Sequence, residues 1–428
     1  MLSKKTIIHT LFLLLCIIGN THAAIQEISS ANLFGRSLLA INQPGQYLIT
    51  EDIDFAEKPI VISANNVELD LGGNTITFSN LNPFGILFAT GNSNITIKNG
   101  SILNSSPEAF NISSNNNISL INLNITVAST TGIVLTNSKN IRITSVTLTG
   151  TPLIGISITT SVDVEVTTCT LKSIITKSFT GVHILNSETI TCNSNIMNNI
   201  QTKKNFYGFK VISSSRIIIS QNTVSMNTAG RSCTCISMIA GRHNTVSQNN
   251  IFMNSTNFLE FTSPNTKAID NKKKFNRFIG IDIDKGEHLC IVSGNTIRDN
   301  RARYAAYGVR IQERTTEYRH IHLEKNDIST NHAQNIQFGI YDADNLSQNV
   351  YLQNKVSFHG QSLNGSSMPT IPTPKANYFM LKNCPIHNLI KEASADELSF
   401  LPEDLNNKNL SIYGYFAAFG VDAGIFHD

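Results

Sequence analysis

Tryptophan is absent from this 428-residue chain, and with it the largest flat side chain that proteins set against sugar rings, although ten tyrosines remain. Charge is also scarce: 15% of residues are charged and the net charge is +3, which excludes nucleic acid as a general partner. The seven cysteines lack the spacing of a compact disulfide framework, and Cys233-Thr-Cys235 lacks the second ligand pair that a zinc site requires. Cys169, Cys192 and Cys290 fall on apolar positions of a repeat and read as small hydrophobes.

No long apolar run exists that could cross a bilayer as a helix. The one apolar stretch, Leu11 to Ile18, follows Lys4 and Lys5 and precedes Thr21-His22-Ala23. That is the pattern of a secretory signal peptide occupying residues 1–23. Cys16 follows Leu15, where a lipoprotein signal would carry a small residue. Free export to the periplasm, cell envelope or medium is therefore expected over lipid anchoring. Residues 1–23 hold two lysines and no acid, so their removal leaves a net charge of +1.

What the chain has in abundance is a two-line phrase. One line is Gly, apolar, any residue, apolar, as in Gly85-Ile-Leu-Phe, Gly132-Ile-Val-Leu, Gly155-Ile-Ser-Ile, Gly181-Val-His-Ile, Gly208-Phe-Lys-Val, Gly280-Ile-Asp-Ile and Gly308-Val-Arg-Ile. The other places an apolar pair after Ser or Asn, beginning at Val67, Ile95, Ile118, Ile141, Val164, Ile190, Ile217, Cys290, Ile321 and Val350. Ile95, Ile118, Ile141 and Val164 are each 23 residues apart, a period that marks stacked repeats. Each line reads as a short strand with alternating faces, and nothing between them has room for an ordinary helix. A propeller blade needs about 40 residues, which excludes that alternative. The expected fold is all-β: a parallel β-helix solenoid of about ten to twelve coils with an N-terminal cap and a C-terminal tail.

Asparagine recurs soon after the second line, at Asn195, Asn222, Asn249, Asn295 and Asn326. Stacked one per coil, these amides would form a ladder at a sharp bend, each tolerating left-handed backbone. The recurrent serines and threonines read as strand edges. From Asn244 to Cys290 the step is 46, twice the period, with Leu259-Glu-Phe261 and Ile269 near the right phase. A degenerate coil is expected there; the rival is a long loop. The organisation that follows is a cap and first coil over 24–66, the β-helix over 67–360, a proline-bearing linker over 361–375 and a cap or tail over 376–428.

The coil phrase, the asparagine turn, and the opening Pro44-Gly-Gln-Tyr-Leu-Ile-Thr with Asn66-Val-Glu-Leu-Asp-Leu-Gly-Gly-Asn-Thr-Ile together resemble the right-handed parallel β-helix proteins of the pectin-lyase-like superfamily, including its NosD-like group. The resemblance spans about Pro44 to His359. It implies that the Gly line is the first sheet, the Ser/Asn line the second, and the residues after the ladder asparagine the third. It also implies that substrates lie along the first sheet between walls of loops. The superfamily hosts many activities, so the resemblance selects none.

On the first sheet the residue between the two apolar ones points outward. By coil this column reads Leu87, Val134, Ser157, His183, Lys210, Ser237, Glu260 (in the hidden coil), Asp282, Arg310 and Tyr341, passing from inert to ionisable. Charge follows the same gradient: six charged residues lie between Asn80 and Thr170, against 22 between Lys272 and Asp344. Lys272-Lys-Lys274 and Arg298-Asp-Asn-Arg301-Ala-Arg303-Tyr304 offer cations to an acidic sugar. His183, Lys272, Arg301, Arg303, Tyr304 and Tyr341 are thus the candidate substrate-binding residues.

Two chemistries fit. A lyase acting on a uronate needs a cation to neutralise the carboxylate and a base for the α proton, with Asp282 and Asp284 holding Ca²⁺ and Arg310 or Lys210 nearby. A hydrolase would use two of Glu260, Asp282 and Asp284. Against both stands a stacked Asp282–Arg310 ion pair without function. The chain lacks the Asn-Thr-Asp, paired-Asp and Gly-His-Gly set of polygalacturonases, the Asp-Pro-His-Glu of alginate epimerases and the arginine motif of pectate lyases; Arg310-Ile-Gln312 matches the polygalacturonase Arg-Ile-Lys only in part. His320-Ile-His322 places two imidazoles on the second sheet with no third ligand identifiable. The functional expectation is an exported protein that binds or degrades an acidic polysaccharide or cell-surface glycan. Its rival is a non-catalytic envelope protein used for adhesion or assembly.

Overall fold

The structure, a computed structural model, describes residues 25–33, 39–55, 59–78, 84–104, 107–128, 130–256, 276–284, 289–302, 304–312, 321–333, 336–342, 350–357, 379–381 and 412–413. The expected signal segment, the linker over 361–375 and nearly all of the tail therefore lie outside the described residues. Among the described residues, every regular element apart from one helical turn at Ser30–Leu33 is a strand. No helix among the described residues is long and apolar enough to cross a membrane.

The chain forms the expected parallel β-helix. Strands of the first sheet run from Leu39–Ile41 to Ile336–Asp342, each pairing in parallel with the strand one coil on. Phe379–Leu381 continues this sheet in parallel, and Ile412–Tyr413 adds to it antiparallel. Second and third sheets occupy the other sides; in two early coils single strands, Ser93–Asn104 and Asn116–Val127, turn the corner from one to the other. Pairing begins earlier than the opening motif, because Gln26–Ile28 already lies in register with Tyr47 to Ile49.

Alternation explains the core. Inward positions carry Ile, Val, Leu and Phe that are essentially inaccessible, such as Ile97, Ile143, Val166 and Phe209. The glycine that opens the first line is needed for space. A Cβ on Gly155 would lie 2.6 Å from the carbonyl oxygen of Gly181 on the next coil and 2.6 Å from the Leu171 side chain. The third sheet's large side chains thus reach the backbone of the first. Cys169, Cys192 and Cys290 are buried thiols, as expected of small hydrophobes, and burial raises the Cys169 pKa to about 11; Cys233 and Cys235 are buried thiols as well.

The asparagine ladder is real, but its conformational role differs from the sequence expectation. The left-handed residue is the one before each ladder position, Ser194, Gln221, Gln248, Gly294 and Lys325, while the asparagine itself turns inward and is buried. Asn249 shows why. Its Nδ2 donates to Ile219 O at 2.8 Å and to Asn295 Oδ1 at 2.9 Å, and its Oδ1 accepts from Asn222 N and Asn222 Nδ2, both at 3.0 Å. One amide thereby satisfies two backbone groups of the preceding coil and bonds the ladder amides on either side.

Three further features went unread in the sequence. From Ile175–Thr176 onward the coil gains a short fourth side, at Gln201–Thr202, Thr228–Ala229, Ser255–Thr256, Arg301–Ala302 and His332–Ala333. It lengthens the step from 23 to 27 residues, as between Asn222 and Asn249. A second buried ladder accompanies it, Asn227, Asn254, Asn300 and Asn331. At the corner before the second sheet, Ser138, Ser161, Ser187 and Ser214 are also ladder members, each hydroxyl accepting the backbone N–H of the corresponding residue one coil earlier. These serines are buried, so the strand-edge reading does not hold for them.

The hidden coil does not exist as a rung. Ser232–Ile239 pairs directly with Arg277–Ile283, and Asn249 bonds directly to Asn295. The 46-residue step exceeds the local 27-residue coil by 19, the length of the undescribed segment 257–275. The match to twice 23 was a coincidence of two different lengths.

Replacing Asn249 by Ala would strand several buried donors and acceptors, each worth about 1–3 kcal/mol. Chemical denaturation is expected to show a loss of about 3–5 kcal/mol. Thr245→Ala, on an outward position of the same coil, is expected to change stability by less than about 1 kcal/mol.

Candidate functional site

The strand register assembles the outward column of the first sheet as Leu87, Asn111, Val134, Ser157, His183, Lys210, Ser237, Asp282, Arg310 and Tyr341. Two details differ from the expected column. Asn111 stands between Leu87 and Val134, and Ser237, not Glu260, is the neighbour beneath Asp282. Glu260, Lys272, Arg303 and His320 lie outside the described residues.

A second outward column, one residue before each glycine, was missed. It runs Thr180, Tyr207, Thr234, Ile279 and Tyr307 beside the first. Strict alternation counted from Lys210 places Tyr207, three residues earlier, inward; Gly208 and Phe209 are both buried, and this break in the alternation turns Tyr207 outward, which is why the column escaped the sequence reading.

The two columns form a face of rings and cations. The Tyr307 and Tyr341 rings meet edge to face with centroids 5.6 Å apart, and the Arg310 guanidinium lies 5.7 Å from the Tyr307 centroid. Lys210 Nζ lies 5.1 Å from the Tyr207 centroid. Ile279, Ala305 and Tyr307 form a small apolar cluster outside the solenoid core, with Tyr304 and Tyr341 against it. Burial raises the pKa of the Tyr207 phenol, with Asp282 and Asp284 adding to the shift and Arg310 opposing it.

Asp282 is fully engaged. Its Oδ1 accepts from Arg310 Nε at 2.8 Å and its Oδ2 from a terminal Arg310 nitrogen at 2.7 Å, a bidentate pair. Gln312 Nε2 lies 3.2 Å from both oxygens. The pair is not solvated: its side chains retain 16% and 9% exposure for Arg310 and Asp282. Burial alone would lower the Arg310 pKa, but the Asp282 hydrogen bonds and charge more than offset it and the net shift is upward. A calcium ion at Asp282 would have to displace these donors, and no group of three or more metal-ligating side chains occurs among the described residues.

The remaining candidates are distributed around this face. Asp284 follows the strand end, its backbone N–H bonded to Met238 O. Tyr304 precedes the strand of Tyr307, while Arg301 lies on the fourth side, paired in register with His332. His183 adjoins Lys210 one coil below it; burial, and then the Lys210 charge, lower its pKa. His322 points outward on the second sheet, with Nε2 3.5 Å from Glu324.

No protein-family model matches the chain, and no curated protein matches it. Among solved structures it is similar to a double mutant of the tailspike protein of E. coli bacteriophage HK620, at 10% identity and a TM-score of 0.44 over 74% of this chain and 60% of that one. It is also similar to the A-module of the mannuronan C-5 epimerase AlgE6 of Azotobacter vinelandii, at 11% identity and a TM-score of 0.41 over 78% of this chain and 93% of that one. The surface adhesin PfbA of Streptococcus pneumoniae gives 12% identity and a TM-score of 0.36 over 82% and 90%. The chain thus spans 60% of the tailspike's length, and likeness at this level carries no argument about activity.

Arg310→Leu would leave Asp282 charged and unpaired, and is expected to cost about 3–5 kcal/mol in denaturant unfolding. The double variant Asp282→Leu with Arg310→Leu should cost clearly less, since it leaves no orphaned charge. His183 resists protonation when folded, so the unfolded chain binds more protons and stability falls as pH drops below its ordinary pKa of 6.5. In His183→Gln that acid-side loss, read as the urea midpoint against pH, is expected to be smaller.

Proposed function

We propose that the protein is an exported glycan-binding β-helix that holds an acidic polysaccharide against the outer face of its first sheet, between the coils of Lys210 and Tyr341. The observation that carries this reading is the ring-and-cation face itself, with Tyr207, Tyr307 and Tyr341 interleaved with Lys210 and Arg310. Tyrosine faces suit the apolar sides of sugar rings, and the cations suit their carboxylates. Asp282, held by Arg310 and Gln312, fits a positioning role that fixes the guanidinium; it is poorly placed to serve as a free nucleophile, base or calcium ligand. Binding is therefore preferred over hydrolysis as the function of this face.

Polygalacturonate and alginate, with and without Ca²⁺, are the probes, and a neutral glucan is the control. Calorimetric titration is expected to detect the acidic glycans alone. Lys210→Ala combined with Tyr341→Ala should weaken binding about tenfold or more, with the circular dichroism spectrum unchanged. Absence of binding to any acidic glycan would overturn the reading. Absorbance near 235 nm, from unsaturated ends, would replace it with a lyase.

A further inference from the structure

We propose that the ligand's charge is received at one step of the first sheet, between His183 and Lys210, and that a uronate carboxylate bound there brings a proton into the site. This rests on the glycan-binding reading and deepens it: it names the rung that takes the carboxylate and makes His183 a proton-linked member of the site.

The two cations of the face are not equivalent. Arg310 gives Nε and a terminal nitrogen to the two oxygens of Asp282, at 2.8 and 2.7 Å, so the pair carries no net charge. A ligand carboxylate arriving there would meet a nearly buried carboxylate already in place. Lys210 has a different setting. The register puts His183 directly beneath it and Ser237 directly above, and Ser157 lies beneath His183. Asp282 stands one rung beyond Ser237, roughly 10 Å along the column from Lys210, and is held by Arg310.

The strand of His183, Phe179–Leu185, and its two neighbours, Ile154–Thr159 and Asn205–Ile212, contain no acidic residue. The other titratable groups on the outer face of these strands are Lys210 and Tyr207, both from the coil above. Burial raises the Tyr207 pKa, so the phenol stays protonated and adds no negative charge. Its ring lies 5.1 Å from Lys210 Nζ and gives the ammonium a preferred seat on the face.

Adjacent rungs lie about 4.8 Å apart, so a carboxylate set against the Lys210 ammonium is also within reach of the His183 imidazole. In the empty site, burial and then the Lys210 charge disfavour the imidazolium. A bound carboxylate reverses the second effect, because it neutralises Lys210 and offers the imidazolium a partner. His183 therefore gains a proton on binding, and by reciprocity protons strengthen binding. The empty site ionises below the ordinary 6.5 of a histidine and the filled site above the empty one. Affinity is greatest below the empty-site pKa and falls as pH rises through the filled-site pKa. The ligand contributes nothing to this dependence, since carboxylates titrate near about 4.

Calorimetric titration with galacturonate oligomers reads the linkage, first near about pH 6.5 in buffers of different ionisation enthalpy and then across about pH 5 to 8. The wild type is expected to take up part of a proton per site and to bind about tenfold more weakly at the alkaline end, the effect of a shift of about one pKa unit. His183→Gln should take up no proton and bind with one affinity throughout. Lys210→Gln should bind weakly at alkaline pH and regain part of its affinity on acidification, through His183 alone. Methyl-esterified oligomers, with the same rings and no carboxylate, should bind weakly and without proton uptake. If the acidic oligomers bind the wild type without proton uptake, or His183→Gln keeps the wild-type pH dependence, the assignment is wrong and the glycan-binding reading stands. Proton uptake with the methyl ester would likewise detach the proton from the carboxylate and overturn the assignment. If no acidic oligomer binds at any pH, both are overturned.

Discussion

The whole rod depends on one interaction, the buried side-chain amide that hands its hydrogen bonds from coil to coil. A parallel β-helix must turn sharply several times per coil, and each turn leaves backbone groups facing inward where no water can satisfy them. Asn195, Asn222, Asn249, Asn295, Asn326 and Asn354 meet that demand on one corner, Asn227, Asn254, Asn300 and Asn331 on another. Serines do so with a single oxygen on a third, in the coils where hydroxyl-sized groups suffice. Packing of isoleucine and valine supplies apolar burial, but it is these polar stacks that define where each coil must bend.

Much of this was legible because the repeat is periodic in two senses. Alternation within a strand separates Ile141 from Arg142 without knowledge of the fold, and recurrence between coils stacks His183 under Lys210. What escaped was anything that changes the repeat itself. The fourth side adds residues at a corner whose small polar composition, as in Gln201–Thr202 and Thr228–Ala229, resembles an ordinary turn. The false coil near Leu259 arose because a lengthened repeat plus an insertion happened to equal two shorter repeats. The ladder asparagines were recognised, but their neighbours take the left-handed backbone, since an inward amide with its full set of partners requires its predecessor to make the turn.

At the candidate site Asp282 and Arg310 meet, but their chemistry is altered by a neighbour that sequence spacing alone could not weight. Asp282 and Arg310 are adjacent rungs, as the column required. Gln312, two residues beyond Arg310, completes the enclosure of the carboxylate and moves it from reagent to anchor. The tyrosines that surround the pair give the exterior of this sheet a second, smaller apolar cluster.

The step from Asn249 to Asn295 separates register from chain length. Because the coil is closed by side chains and not by the span between them, 19 additional residues enter at one corner and the next rung still falls into place. Closing a longer loop costs little entropy, so the rod tolerates such growth cheaply. New material can thus be acquired beside the ring-and-cation face while the spine is inherited unchanged. In evolutionary terms the spine is a chassis, and this corner is its grafting site.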